Sequence, residues 1–301
     1  MIRRALPVLL VALLVSSALA APKDVFTRVR DGYADNAGVR IHYVTLGRGP
    51  LIVMIHGFPD FWYGWREQIA ALSRHYRVVA LDLRGYNLSD QPPGVEQYDM
   101  TLLVSDVEAV IRANGRESAI VVGHDWGGAI AWMFAATRPE MTERLIVLQT
   151  PHPRCILREL RTNPAQQAAS AYARGFQDNE VPPGSTAEGF AGLLPEDVRD
   201  RYREAFARSD LGAMLNYYKR NYPRAPYEDI ELPNIKAPVL VVHGLGDPFL
   251  LADGHNSTWN WVDAPLTLAM VPGVGHFIMQ DAPDTVNRLI KDWLGGKALR
   301  R

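Results

Sequence analysis

The sequence predicts an α/β fold: a mostly parallel central sheet, helices on both of its faces, and a helical lid inserted between two of the core strands. Three observations carry that expectation. Short continuous apolar runs alternate with helical patterns, and one long stretch interrupts the alternation with helical pieces only. The most sharply punctuated turn, Gly123-His124-Asp125-Trp126-Gly127, joins an apolar run directly to a helix.

Residues 1–20 stand apart from the fold. Arg3 and Arg4 form a basic start, Leu6 to Val15 an apolar stretch broken by Pro7, and Ala18-Leu19-Ala20 a small-residue cleavage site. That order is the pattern of an export signal removed after Ala20, which predicts a periplasmic or secreted protein. The apolar stretch is shorter than the roughly 20 residues a membrane span needs, so the processed chain should carry no stable span. A retained signal anchor is the alternative. The paired arginines alone do not choose between the general and the twin-arginine route.

From Ala21 onward the apolar runs mark strands. Leu51 to Ile55, Ala119 to Val122, Ile146 to Leu148, Val239 to Val242 and Leu268 to Val271 are short and apolar on both faces, as in parallel strands covered by helices on two sides. Met100 to Asn114, Gly127 to Thr137 and Ala282 to Leu294 read as covering helices. Between about Pro151 and Lys236 no buried-strand run occurs. Amphipathic pieces such as Pro195 to Ser209 fill the interval, divided by the Pro- and Gly-containing loop Glu180 to Ser185. The division is therefore 21–150 for the first part of the core, 151–236 for the lid and 237–301 for the second part. A lid placed there would roof the carboxyl ends of the strands, where open α/β sheets bind ligands.

Composition sets limits on function. Hydrophobic residues make up 48% of the chain and the formal net charge is −1, so a core of ordinary size can form and no basic surface argues for nucleic acid. Cys155 is the only cysteine, which excludes an intramolecular disulfide and reads as a small interior side chain.

The chemistry is concentrated at strand ends. Gly123-His124-Asp125-Trp126-Gly127 has the form of a nucleophile elbow, with aspartate where serine usually sits. A helix-capping aspartate would need no glycine on both sides. Serine attacking a saturated carbon would leave an ether that activated water cannot readily cleave. A carboxylate leaves an ester, so Asp125 points to displacement at an sp³ carbon. Asp247 and His276 each follow a core strand and lie beside glycine, and the order nucleophile, acid, histidine fits such an elbow. His56-Gly57-Phe58-Pro59 follows the first buried strand. There the backbone N–H of Phe58, with that of Trp126, would form an oxyanion hole for the Asp125 carboxylate.

With these motifs in place the chain resembles the epoxide hydrolases of the α/β-hydrolase fold. The resemblance covers nearly all of the sequence after the leader. It rests on His56 to Pro59 with Trp62 and Trp65, on Asp82-Leu83-Arg84-Gly85-Tyr86 with Ser89-Asp90, and on Gly123 to Gly128. Asn87 departs from the glycine common in that family, a change that positive φ tolerates. The resemblance implies two lid tyrosines that donate to the epoxide oxygen. Tyr172, in Tyr172-Ala173-Arg174-Gly175-Phe176-Gln177, is the first, and Tyr218 the second, with the adjacent Tyr217 as the competing assignment. The implied partners are a small-molecule epoxide and water, with no cofactor and no metal. Haloalkane dehalogenases share the aspartate elbow and are the alternative, but they typically place Asn or Glu at the position of Phe58. Haloacetate dehalogenases usually carry arginines after the nucleophile, whereas Trp126 to Ile130 hold no charge. A ligand-binding relative without catalysis would need none of the four elements retained here.

Overall fold

A computed structural model of the protein describes residues 24–178, 185–192 and 194–296. The leader and most of the Glu180–Ser185 loop lie outside the described residues. Eight strands form one sheet: β1 (Arg30–Asn36), β2 (Val39–Leu46), β3 (Leu51–Ile55), β4 (Arg77–Leu81), β5 (Ala119–His124), β6 (Thr142–Leu148), β7 (Val239–Gly244) and β8 (Leu266–Val271). Their order is β1-β2-β4-β3-β5-β6-β7-β8. The first two strands pair antiparallel, and β2 is antiparallel to β4; every other pairing is parallel.

Position in the sheet explains the sequence pattern. β3, β5 and β7 are buried at every residue, because helices cover both faces there, and each is therefore an unbroken apolar run apart from its final turn residues. β8 was expected to be covered equally and is not. It forms the sheet edge, most of its residues are only partly buried, and Met270 is 38% exposed.

Helices cover the sheet early in the chain and again at its end. α1 (Arg66–Leu72), α2 (Met100–Ala113) and α3 (Trp126–Thr137) follow β3, β4 and β5 in turn. Asp99 caps α2 by accepting the N–H of Thr101, and the helix stops at Asn114 before Gly115, which takes positive φ. After β6 the described residues form six helices without an intervening strand: α4 (Pro153–Thr162), α5 (Pro164–Ala169), α6 (Ala171–Gln177), α7 (Ala187–Gly192), α8 (Glu196–Arg208) and α9 (Leu211–Asn221). β7 resumes the sheet, and α10 (Ile278–Asp281) and α11 (Pro283–Leu294) close the chain.

The lid helices are seated on both halves of the core. Phe176 of α6 and Met214, Leu215, Tyr217 and Tyr218 of α9 join the apolar cluster on the α2–α3 face. Val198, Tyr202 and Phe206 of α8 join the cluster on the α1–α11 face. Polar contacts fix the two seats. Tyr202 donates its hydroxyl hydrogen to Asp60 Oδ1 at 2.9 Å, and Gln280 Nε2 donates to Asp60 Oδ2 at 2.9 Å. Tyr217 donates to the carbonyl of Arg84 at 2.9 Å, and Arg84 is itself held by a bidentate pair with buried Asp106. Asn87 takes φ of 44° and donates from Nδ2 to Asp82 Oδ2 at 2.8 Å, so the departure from glycine is accommodated by the backbone and used by the side chain.

Candidate active site

The elbow between β5 and α3 carries Asp125 at φ 53° and ψ −122°. Such a conformation is uncommon for a non-glycine residue and has to be held by its surroundings. A side chain at Gly123 would collide with the backbone of Gly127, and one at Gly127 with the carbonyls of Ile55 and His56, so the turn closes only with glycine at both positions. Thr150 donates to the Asp125 carbonyl at 2.9 Å and braces the elbow from the end of β6.

Three side chains from three strand ends converge. Asp125 Oδ2 stands 3.6 Å from His276 Nε2, and His276 Nδ1 stands 2.7 Å from Asp247 Oδ2. The second oxygen of Asp247 accepts the N–H groups of Phe249 and Leu250 at 2.8 and 3.1 Å. Burial opposes the charge on His276, but hydrogen bonds and charge from Asp125 and Asp247 outweigh it and push the imidazole up to about 9. Burial likewise works against both carboxylates, yet His276 holds Asp125 and Asp247 below their ordinary value. Together these shifts favour an imidazolium between two carboxylates in the resting site.

The loop after β3 supplies a backbone donor to the Asp125 carboxylate. Phe58 N–H donates to Asp125 Oδ1 at 2.7 Å. Gly57 leaves the space that the Asp125 side chain fills. His56 does not reach the carboxylate: its Nδ1 faces the Gly57 carbonyl at 2.9 Å and its Nε2 accepts from Leu83 N–H at 3.0 Å, which ties the loop to the end of β4. Pro59 follows through a cis peptide. Trp126 N–H, expected as the second donor, makes no hydrogen bond to the Asp125 carboxylate among the described residues. It opens α3 directly after the carboxylate-bearing residue, and one donor occupies Oδ1 in the resting arrangement.

A cavity of about 690 Å³ opens above Asp125, within the size of a drug-like ligand site. Trp126, Tyr172 and Tyr218 line it beside the carboxylate, and Met100, Met133, Ile156 and Leu157 extend it as an apolar chamber. The two phenol rings lie 6.0 Å apart, centroid to centroid. Burial pushes both hydroxyls well above the ordinary phenol range, so each keeps its proton. The structure places Tyr217 elsewhere, with its hydroxyl turned into the core against Arg84. The Phe58 ring packs edge-on against Phe176, Phe190 and Tyr218 and offers no polar group to the cavity.

The α/β hydrolase fold family model matches residues 50–283. Epoxide hydrolase 3 of Xenopus tropicalis is 33% identical over 280 residues, covering 86% of this chain and 76% of that one. The chain belongs to the epoxide hydrolases of the α/β-hydrolase superfamily. The AB hydrolase superfamily protein YfhM of Bacillus subtilis is 37% identical over 284 residues, 88% of this chain and 98% of that protein. Among solved structures, a variant of an epoxide hydrolase from Bacillus megaterium superposes with a TM-score of 0.83 at 33% identity, covering 88% of this chain and all of that one. That relative is complexed with its product, (R)-3-[1]naphthyloxy-propane-1,2-diol.

Two residues of this epoxide hydrolase site were not anticipated from the sequence. His124 is fully buried, and its Nε2 donates to the His276 carbonyl at 2.8 Å while the rings lie 4.7 Å apart. Burial and the neighbouring His276 charge lower it to about 4, so it stays neutral. Gln149, one residue beyond β6, donates from Nε2 to the Gly275 carbonyl at 2.7 Å. The identity of His124, wedged between the elbow glycine and the aspartate, was a signal available in the sequence; Gln149 carries none. Among the described residues no cluster of His, Cys, Asp or Glu could hold a metal ion, and no helix is long and apolar enough to cross a membrane.

Proposed function

We propose that the chain opens epoxides to vicinal diols through a covalent alkyl ester on Asp125. The observation that carries this reading is an aspartate carboxylate at the elbow, lining a largely apolar cavity with two phenols beside it. Tyr172 and Tyr218 donate hydrogen bonds to the epoxide oxygen as Asp125 attacks the ring carbon, and the developing alkoxide takes its proton from one of these phenols. Esterification removes the negative charge from Asp125. The imidazolium of His276 loses the partner that held its proton, gives up that proton as the phenolate left by ring opening regains one, and becomes a base. It then takes a proton from water, oriented and stabilised by Asp247, and the hydroxide adds to the ester carbonyl carbon. The tetrahedral oxyanion sits on the Phe58 N–H, with the Trp126 N–H as second donor, before collapse returns the Asp125 carboxylate and frees the diol. Phe58 favours this over halide release, because its ring presents no polar side chain where a halide would need one.

A single turnover in ¹⁸O-labelled water tests the mechanism. The label should enter Asp125 and leave the diol unlabelled; label appearing directly in the diol would mean attack by water on the epoxide and would overturn it.

The division into core 21–150, lid 151–236 and core 237–301 is part of this reading, supported by the described residues between β6 and β7, which form six helices and no strand. Export with cleavage after Ala20 is proposed from the leader pattern alone. N-terminal sequencing of protein from its native host should begin at Ala21, and recovery of the full-length chain in the cytoplasm would contradict it.

A further inference from the structure

We propose that Gln149 is a positioning residue for the water-activation half of the reaction, holding the base His276 and its partner Asp247 in register. The assignment rests on the epoxide-opening reading above. Gln149 is fully buried and takes φ of 67°, a left-handed conformation that a glutamine adopts only where its surroundings enforce it. That backbone turn aims the side chain across the ends of two neighbouring elements. Its Oε1 accepts the N–H of Gly244, the last residue of β7, at 2.6 Å. Its Nε2 donates to the carbonyl of Gly275 at 2.7 Å. Gly244 leads into the turn that carries Asp247, and Gly275 immediately precedes His276, so one amide spans the acid's turn and the base's loop.

The geometry around His276 gives the span its purpose. The peptide on one side of His276 is held through Gly275 by Gln149, and the peptide on the other side through the His276 carbonyl by His124 at 2.8 Å. Between these two ties the imidazole stays 2.7 Å from Asp247 and 3.6 Å from Asp125. Asp125 has supports of its own, Phe58 N–H on its carboxylate and the Thr150 side chain on its carbonyl, and the side chain of Gln149 touches neither. Nucleophilic attack therefore depends on the glutamine only through the His276–Asp125 pair, whereas the alignment of base and orienter is held by it directly. The side chain must be an amide of this length: it donates at one end and accepts at the other, so a carboxylate loses the donor and an apolar side chain loses both. A further contact anchors it from behind, since the Gln149 carbonyl faces His243 Nδ1 and His255 Nε2 at 3.2 and 3.1 Å.

The two half-reactions separate a positioning role from a merely structural one. Rapid-quench mass spectrometry of the holo-length mature protein with a chromogenic epoxide gives the rates of ester formation and ester hydrolysis, and steady-state assays give kcat and KM. In Gln149→Met, hydrolysis and kcat should fall roughly 10- to 100-fold, the scale of a small misplacement of a catalytic group. Ester formation and kcat/KM should stay within about threefold of wild type, so KM falls with kcat as ester accumulates. Gln149→Asn, which keeps the amide but is one methylene short, should show the same split more weakly and provides the reading if Gln149→Met does not fold. Both rates falling together, or neither changing, overturns the assignment. A wild-type protein that forms no ester on Asp125 overturns the epoxide-opening reading itself, and the role of Gln149 with it.

Discussion

Replacing Asp125 with Asn imitates the charge of the esterified enzyme, because the amide is neutral and nearly the same shape. The imidazolium of His276 sits 3.6 Å from Asp125 in the resting site, and its affinity for a proton is raised to about 9. At an effective dielectric of about 20, two unit charges at that separation interact by about 5 kcal/mol. That is a change of several thousandfold in the protonation equilibrium, about 3.5 pH units, enough to bring His276 from about 9 to between about 5 and 6. The sign follows from which form the lost charge favoured: removing a carboxylate destabilises the imidazolium, so the histidine deprotonates at lower pH. Ester hydrolysis should therefore rise with pH across roughly 5 to 7 and then level off, even though the resting histidine stays protonated there. NMR titration of the ¹⁵N-labelled His276 ring in wild type and Asp125→Asn reads both values directly. If the ring of the variant still titrates near 9, Asp125 is not what holds the proton, and the exchange of roles between attack and hydrolysis is wrong.

Loss of both lid phenols should be far more damaging than loss of either. Tyr172→Phe and Tyr218→Phe should each retain partial epoxide opening, while the double variant should lose roughly 10²- to 10⁴-fold, the usual worth of general-acid assistance. A double variant that opens epoxides at the wild-type rate would remove both from the mechanism, and a wild type that releases halide from haloalkanes while ignoring epoxides would hand the site to the dehalogenase reading. Asp60 offers a test of stability instead. Burial pushes its carboxyl up to about 7, against hydrogen bonds from Phe61 N–H, Tyr202 and Gln280 that favour the charge. A raised carboxyl stabilises the fold fully below the unfolded value near 4 and less as pH climbs towards 7, a swing of up to about 4 kcal/mol. Asp60→Asn should flatten the dependence of Tm on pH over that window; an unchanged slope would show that Asp60 does not titrate there.

What the sequence revealed and what it concealed follow from how far each residue's partners lie along the chain. β3, β5 and β7 were legible because both of their faces are buried, which leaves no polar position inside the run. β1 and β2 escaped notice because they form the antiparallel edge: β1 is mostly exposed, with Ala34 its one buried residue, and the buried stretch of β2 follows Arg40 and contains the polar His42. β4 escaped for a different reason: its buried stretch Val78 to Leu81 is short and follows a polar segment, and nothing local marks it as central. Asp125, Asp247 and His276 were legible because each stands just past a strand end beside glycine, a pattern readable within a few residues. Gln149 acts on Gly244 and Gly275, about 95 and 126 residues further on, and no local pattern announces such a span.

The neighbouring tyrosines of α9 hold a warning for anyone who maps this site by mutation. Consecutive residues on a helix point about 100° apart, so Tyr217 fastens the helix to Arg84 while Tyr218 looks into the cavity. The fastening sets the rotation of α9, and that rotation sets where the Tyr218 hydroxyl ends up. A screen that scored activity alone would register a substitution at either position as a hit, although only one of the two hydroxyls lies within reach of a substrate. Thermal stability, measured beside turnover, is what tells the peg from the tool.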